Sequence, residues 1–180
     1  IKYGLYEIEE VQDESWAKPK NTIILADKLA EQTMEKSRVT KYKKIRDLSL
    51  DDFNEITLTH PFSKLEGADS FWDYAVPLVE ADHVTDDAGT GFVHIAPSHG
   101  AEDFEVFLKR GWLSRMTNNV EDDSSFSTAV PFFKGLQIFN KKGKEGEANR
   151  AVIQKLIEAN KLIARGCLLY TSPSPRDTDK

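Results

Sequence analysis

The chain has 180 residues, with 30 acidic against 24 basic side chains and a formal charge of −6 at pH 7. That length fits one domain and excludes a large multidomain machine, and the acidic balance disfavours a protein that coats nucleic acid with its whole surface. With 39% hydrophobic and 30% charged residues the composition suits a water-facing globule, and no run approaches the ~18 apolar residues of a membrane span. The first residues, IKYGLYEIEE, lack the basic start and apolar block of a secretory signal. The single cysteine, Cys167, makes neither an intramolecular disulfide nor a thiolate zinc cluster. A reducing, cytoplasmic setting without a membrane partner is the expectation.

In residues 2–11, Tyr3, Leu5, Tyr6, Ile8 and Val11 are interspersed with charges, the pattern of a half-buried strand. Residues 22–25 form a short β-branched run, after which Leu25, Ala26, Leu29, Ala30 and Met34 recur at helical spacing. A strand feeding a helix is predicted there. Residues 38–47 are mixed and basic and carry little pattern, and residues 48–54 read as a loop turning into 56–60, where Pro61 blocks further helix. Residues 74–84 give the clearest strand signal, with Pro77 implying an edge position or a bulge. A turn at 86–89 and an apolar run at 91–96 complete a predicted hairpin, which places GTGFVHIAP on a strand. After Pro97 the period changes: Phe104, Phe107 and Leu108 share a helical face and Glu102 and Asp103 occupy a first turn, so a helix is predicted to start near Gly100 or Ala101.

Residues 120–140 hold an acidic turn and aromatic and glycine punctuation, suggesting an extended, hairpin-like arm. A helical stripe of Val152, Ile153, Leu156, Ile157, Leu162 and Ile163 predicts a helix over 147–165 that Gly166 stops. The string CLLYTSPSPRD at 167–177 matches the translation of a common transposase sequencing adapter. Residues 167–180 are therefore set aside as a read-through expected to be disordered, the alternative being a natural Pro/Ser-rich tail, and Cys167 carries no functional argument.

The densest chemistry lies in residues 89–104, GTGFVHIAPSHGAEDF, where glycines, two histidines and two acids fall together. Glycines allow a ligand close to the backbone, and a junction leading into a helix presents free N–H donors. The bland alternative for Gly89 and Gly91 is a hairpin turn; for His94, a hydrogen-bonded core imidazole; for Asp103, a complement to the helix dipole. His94, His99 and Asp103 also invite a metal reading, although their spacing matches no specific motif.

This string, preceded by VPLVEADHVT and followed by the arm and EANRAVIQKLIEANKLIARG, resembles the editing domain of bacterial isoleucyl-tRNA synthetases over essentially residues 1–166. The related valyl and leucyl enzymes share the GTG core but generally lack a histidine at the position of His94 followed by this APxHG run. The resemblance implies an α+β fold centred on a mixed, largely β barrel with flanking helices, inserted into a nucleotide-binding catalytic core. It implies hydrolysis of valine wrongly attached to the 3′ end of tRNA(Ile). Asp103 would bind the α-ammonium of the amino acid, His94 would line the side-chain pocket and exclude isoleucine, and Gly89, Thr90, Gly91 and His99 would complete the substrate site. Water would attack the ester directly, assisted by the terminal ribose hydroxyl, with no metal and no cofactor in this segment; the parent enzyme uses ATP. The implied partners are the tRNA end and the remaining synthetase domains.

A second site answers a physical limit: one methylene gives a pocket only ~1–3 kcal/mol of discrimination, the known figure for this very family. The family's threonine-rich strand, of the type WTTTPWT, lies upstream of Ile1 and no such run occurs here, so one pocket wall is expected to be missing. EKSRV at 35–39 does not match the family's lysine-serine loop, so isoleucine activation is not expected of this segment. Lys41, Lys43, Lys44 and Arg46, or the cluster from Lys141 to Lys144, are candidate phosphate contacts, with a solvated face as the alternative. Two other classes stay open: a noncatalytic tRNA-docking module, and a metal-dependent hydrolase using His94, His99 and Asp103.

Overall fold

In the computed structural model, which describes residues 1–165, the alternation near the start produces strand β1, Tyr3–Val11. It pairs antiparallel with β2, Thr22–Ala26, on one side and with β3, Val39–Leu48, on the other. Every second residue from Gly4 to Ile8 is buried, as the two-residue side-chain period requires. Tyr6 and Ile8 face Leu25, Ala17, Val39 and the helix α1, Ala30–Lys36, which contributes Ala30 and Met34. The strand-to-helix reading of this stretch holds, with a 3-10 turn at Asp27–Leu29 between the two.

Strand β3 gave little signal because register shifts against β1 at Leu5/Tyr6, Ile8/Glu10 and Glu10/Val11 break its alternation. Residues 48–54, read as a loop, contain helix α2, Leu50–Glu55. Its start is a reciprocal cap: the Ser49 hydroxyl accepts the Asp52 N–H and the Asp52 carboxylate accepts the Ser49 N–H at 2.7 Å. The backbone N–H and hydroxyl of Ser49, with the Arg46 guanidinium, hold the Asp52 carboxyl down at about 2.

The strand expected over 74–84 shrinks to β5, Ala75–Val76, paired with β4, Leu58–Thr59. Pro77 follows at once and removes the next ladder donor. The hairpin with 91–96 does not form, so GTGFVHIAP lies on irregular backbone and not on a strand. All strand pairings are antiparallel, in a three-stranded and a two-stranded sheet, and no closed barrel is found among the described residues. The α+β character is present, with antiparallel sheets among the described residues in place of the mixed pairing expected.

A second core gathers Phe62, Ala68, Trp72, Val130 and Phe133 against Ala151, Val152 and Leu156 of α4, Ala148–Glu158, and against Ala159 just after it. The arm expected over 120–140 is held by single bridges, Val120 to Phe126, Ser125 to Gln137 and, just beyond it, Phe139 to Glu145. Helix α4 ends earlier than its apolar stripe suggested. Asn160 adopts φ +53°, its N–H reaches Ile157 O, and Lys161 N–H reaches Leu156 O, the paired closing bonds of a left-handed C-terminal cap. Ile163 then turns back onto the sheet core, so its place in the stripe was coincidental. Gly166, Cys167 and the expected read-through lie outside the described residues. Among the described residues no helix is long and apolar enough to cross a membrane.

Candidate functional site

The segment of densest chemistry is pinned to the sheet by its backbone carbonyls. Thr33 Oγ1 of α1 donates to Gly89 O at 3.0 Å, Ala26 N–H of β2 to Thr90 O at 2.9 Å, and Tyr3 Oη of β1 to Gly91 O at 2.6 Å. Lys28 clamps the preceding turn through Asp86 and Asp87, each at 3.2 Å. Gly89 and Gly91 both sit at positive φ, +77° and +84°, where a side chain is strained. They differ in surroundings: a Cβ on Gly89 meets nothing, whereas one on Gly91 would lie 2.5 Å from the Ala26 Cβ. Gly91 is therefore a packing requirement as well as a turn residue. Among the described residues, none of the N–H groups of Gly89, Thr90 and Gly91 meets an acceptor.

Beyond Pro97 the chain enters α3, Ala101–Lys109, with Gly100 at its cap, as the change of period indicated. Asp103 sits in the first turn but bonds sideways rather than to its own helix. Its Oδ2 accepts the Ala96 N–H at 2.9 Å and its Oδ1 lies 3.8 Å from His83 Nε2. That nitrogen is buried without a hydrogen-bond partner among the described residues. The Asp103 side chain keeps 20% of its exposure, and a carboxylate has about four lone-pair sites. It remains able to accept a further donor.

His94 is exposed, on a stretch where Phe92 and Val93 are also open to solvent. A second histidine, which pattern reasoning missed, lies within reach of its charge. His60 stacks on Trp72 with ring centroids 4.3 Å apart and accepts the Phe62 N–H on Nδ1 at 3.1 Å. Burial, and secondarily the charge of His94, hold the His60 imidazole below its usual range. A histidine followed by Pro and an aromatic, HPF at 60–62, was the only sequence signal for it.

Helix α3 presents two opposed faces. Ala101, Phe104, Glu105 and Leu108 line a shallow cleft of about 550 Å³ together with His99 and Gly100. Asp103 and Phe107 lie on the other side of the helix, by the 100° step per residue, so Phe107 parts from the Phe104 and Leu108 face on which the apolar period had placed it. The cleft thus takes in His99 but neither Asp103 nor His94. The metal trio is not brought together either: among the described residues no three His, Cys, Asp or Glu side chains converge as a metal-holding group.

The basic run on β3 is already neutralised. Lys41 pairs with Glu9 at 3.3 Å, Lys43 with Glu7 at 2.7 Å, Lys44 with Asp27 at 2.8 Å and also with Asp47, and Arg46 with Asp52 at 2.6 Å. Lys141, Lys142 and Lys144 are exposed.

No family model matches the chain. It is 42% identical, over 180 aligned positions and 96% of its length, to the isoleucine–tRNA ligase of Bradyrhizobium diazoefficiens. The ligases of Ruegeria pomeroyi and Caulobacter vibrioides are 44% and 40% identical over the same share. The chain is homologous to a segment of the isoleucyl-tRNA synthetases. It spans about 18% of the length of each of these relatives. Within this synthetase segment, the loop from Gly89 to Gly100 is positioned by the sheet and α1 on one side and by the α3 carboxylate on the other, so two separate parts of the fold fix its course.

Proposed function

We propose that this segment is an editing domain, hydrolysing valine from misacylated tRNA(Ile) within a larger, cytoplasmic isoleucine–tRNA ligase. The observation that carries the reading is Asp103: a part-buried carboxylate, oriented by the Ala96 N–H, at the start of α3 and beside a loop whose course is fixed by three carbonyl contacts. In this reading Asp103 accepts the α-ammonium of the esterified amino acid in a charge-assisted hydrogen bond. The ester carbonyl is thereby presented to water and to the free N–H groups of Gly89, Thr90 and Gly91. Water adds to the carbonyl, the tetrahedral intermediate expels the ribose oxygen, and the proton lost by water ends on that oxygen. The terminal ribose hydroxyl assists. No protein nucleophile takes part, and positioning supplies most of the acceleration.

His94, exposed on this loop, serves as a wall that admits valine and clashes with isoleucine, at an overpacking cost of about 1–3 kcal/mol. His99 belongs to the same loop and lines the cleft beside α3, where it would meet the substrate. The segment requires no metal or cofactor of its own; ATP is used by the ligase elsewhere. Its partners are the charged tRNA end and the rest of the synthetase.

The test is deacylation of valyl-tRNA(Ile) by a full-length ligase carrying this segment. Loss of one charge-assisted hydrogen bond, about 1.5–3 kcal/mol, corresponds to a fall of about 10- to 150-fold in Asp103→Ala. His94→Ala should retain deacylation and begin to release isoleucine. Unchanged hydrolysis in Asp103→Ala contradicts the reading, and tRNA binding with the ester left intact in the wild type would make the segment a docking module.

A further inference from the structure

An arginine–tryptophan–arginine array stands at the far end of α3 and has no part in the chemistry above. The guanidinium carbons of Arg110 and Arg115 lie 5.3 Å and 5.1 Å from the Trp112 ring centroid, and Phe107 meets the indole edge-on at 5.8 Å. Both arginines are exposed and the indole is half-buried. Among the described residues neither guanidinium has a carboxylate within 4.0 Å. On β3 the contrast is complete, since all four cations there face acids.

We propose that Arg110, Trp112 and Arg115 form a binding station for the phosphodiester backbone of RNA. Stacking on an indole holds a guanidinium plane in place while leaving its N–H edge outward, the fork that matches phosphate oxygens. In a chain of net charge −6, RNA approaches where cations are not already spent on local acids. The array is also tethered to the rest of the fold. Arg115 donates to Ala75 O of β5 at 3.4 Å, and Ser98 Oγ donates to Thr117 O at 2.8 Å, tying the segment after Trp112 to the loop before α3.

The position fits an RNA end that reaches Asp103. Arg110, the residue that caps α3, follows Asp103 by seven residues, close to two helical turns, so it emerges on the Asp103 side of the helix about 10 Å further along its axis. An RNA terminus held at Asp103 would lay its preceding phosphates toward the arginines. The choice of RNA over an acidic protein segment rests on the editing reading; the phosphate chemistry of the array does not.

The experiment measures binding of the full chain to a labelled single-stranded RNA 12-mer and to uncharged tRNA(Ile) transcript by fluorescence polarisation, across a salt series. The double variant Arg110→Ala/Arg115→Ala should bind about tenfold more weakly or worse, with the salt slope reduced by about 1.4, at about 0.7 per phosphate contact on a single strand. Arg110→Lys/Arg115→Lys should keep the slope and lose several-fold in affinity. Lys41→Ala/Lys43→Ala should change affinity less than about twofold. Circular dichroism checks each fold; Arg110→Ala alone, whose side chain makes no hydrogen bond among the described residues, keeps the result readable if the double variant misfolds. The proposal is overturned if the double variant binds as the wild type does, if the β3 pair loses as much, if no RNA binding is measurable, or if polyglutamate binds through the same arginines while RNA does not. Because the RNA carries no ester, failure of editing in Asp103→Ala assays and failure of this station are separate outcomes.

Discussion

In the sheet half, Ile8 and Leu25 reach 0% and 1% exposure because ladder hydrogen bonds along β1 satisfy the backbone they are mounted on; in the aromatic half, Phe62 and Phe133 reach 4% and 3% with no strand longer than two residues nearby. The second region satisfies its backbone through successive turns. Ser63, Leu65, Ala68, Phe71 and Asp73 each donate to a carbonyl three residues earlier. The Asp73 carboxylate closes this run by accepting Ser63 Oγ at 2.8 Å and the Lys64 N–H at 2.7 Å, which keep it below the usual carboxylate range. Edge-to-face contacts, Phe71 on Trp72 at 4.6 Å and Phe62 on Trp72 at 5.8 Å, replace the interleaving of strands. A buried core thus needs paired backbone, and a ladder is only one way to provide it.

The difference should show first in large side-chain removal. Trp72→Ala should cost about 3–5 kcal/mol, and amide exchange should accelerate in residues 60–73 and in α4 while the β1–β2 amides stay protected. Equal acceleration in both regions would mean one cooperative unit and would erase the distinction. Next comes the link between the site loop and the sheet. Gly91→Ala combines a left-handed backbone penalty of about 1–2 kcal/mol with overlap on Ala26 of about 1–3 kcal/mol, whereas Gly89→Ala carries only the first. Denaturant midpoints that rank the two variants the other way would contradict the packing role of Gly91.

A smaller effect belongs to pH. The His60 imidazole is held below its ordinary value of 6.5 in the folded state, by burial first and by His94 second. A depressed folded value favours the neutral ring, so its stabilisation is present above 6.5 and is lost as pH falls through the folded value. Protonation also removes the Nδ1 acceptor from the Phe62 N–H. Thermal midpoints should therefore fall on acidification below pH 6.5, and His60→Phe, which keeps the ring, should flatten that part of the profile. An unaltered profile in the variant would assign the pH response to other groups.

How far the sequence disclosed this arrangement follows the same division. Strand β1, the β2–α1 unit and the start of α3 were legible because their apolar period and their local partners agree. Strand β3 was obscured by its register shifts, and α2 by a capping box that uses Asp52 in place of the commoner Glu or Gln. The expected hairpin failed because β-branched composition marks an extended chain, not the presence of a pairing partner. In the site, composition drew attention to Gly89 to Phe104 as one segment. It did not reveal that the Gly91 carbonyl belongs to Tyr3, that His83 stands beside Asp103, or that His60 stacks on Trp72. Those contacts join positions up to 88 residues apart, beyond the reach of any local pattern.

The proposed editing chemistry depends on Asp103 binding the α-ammonium of an esterified amino acid. Its most direct measurement compares deacylation of valyl-tRNA(Ile) with that of N-acetyl-valyl-tRNA(Ile), which lacks the ammonium, in the full-length wild type and in Asp103→Ala. The wild type should slow about 10- to 150-fold on the acetylated substrate and the variant should treat both alike, because each change removes the same charge-assisted bond. Equal rates on the two substrates in the wild type would contradict the account.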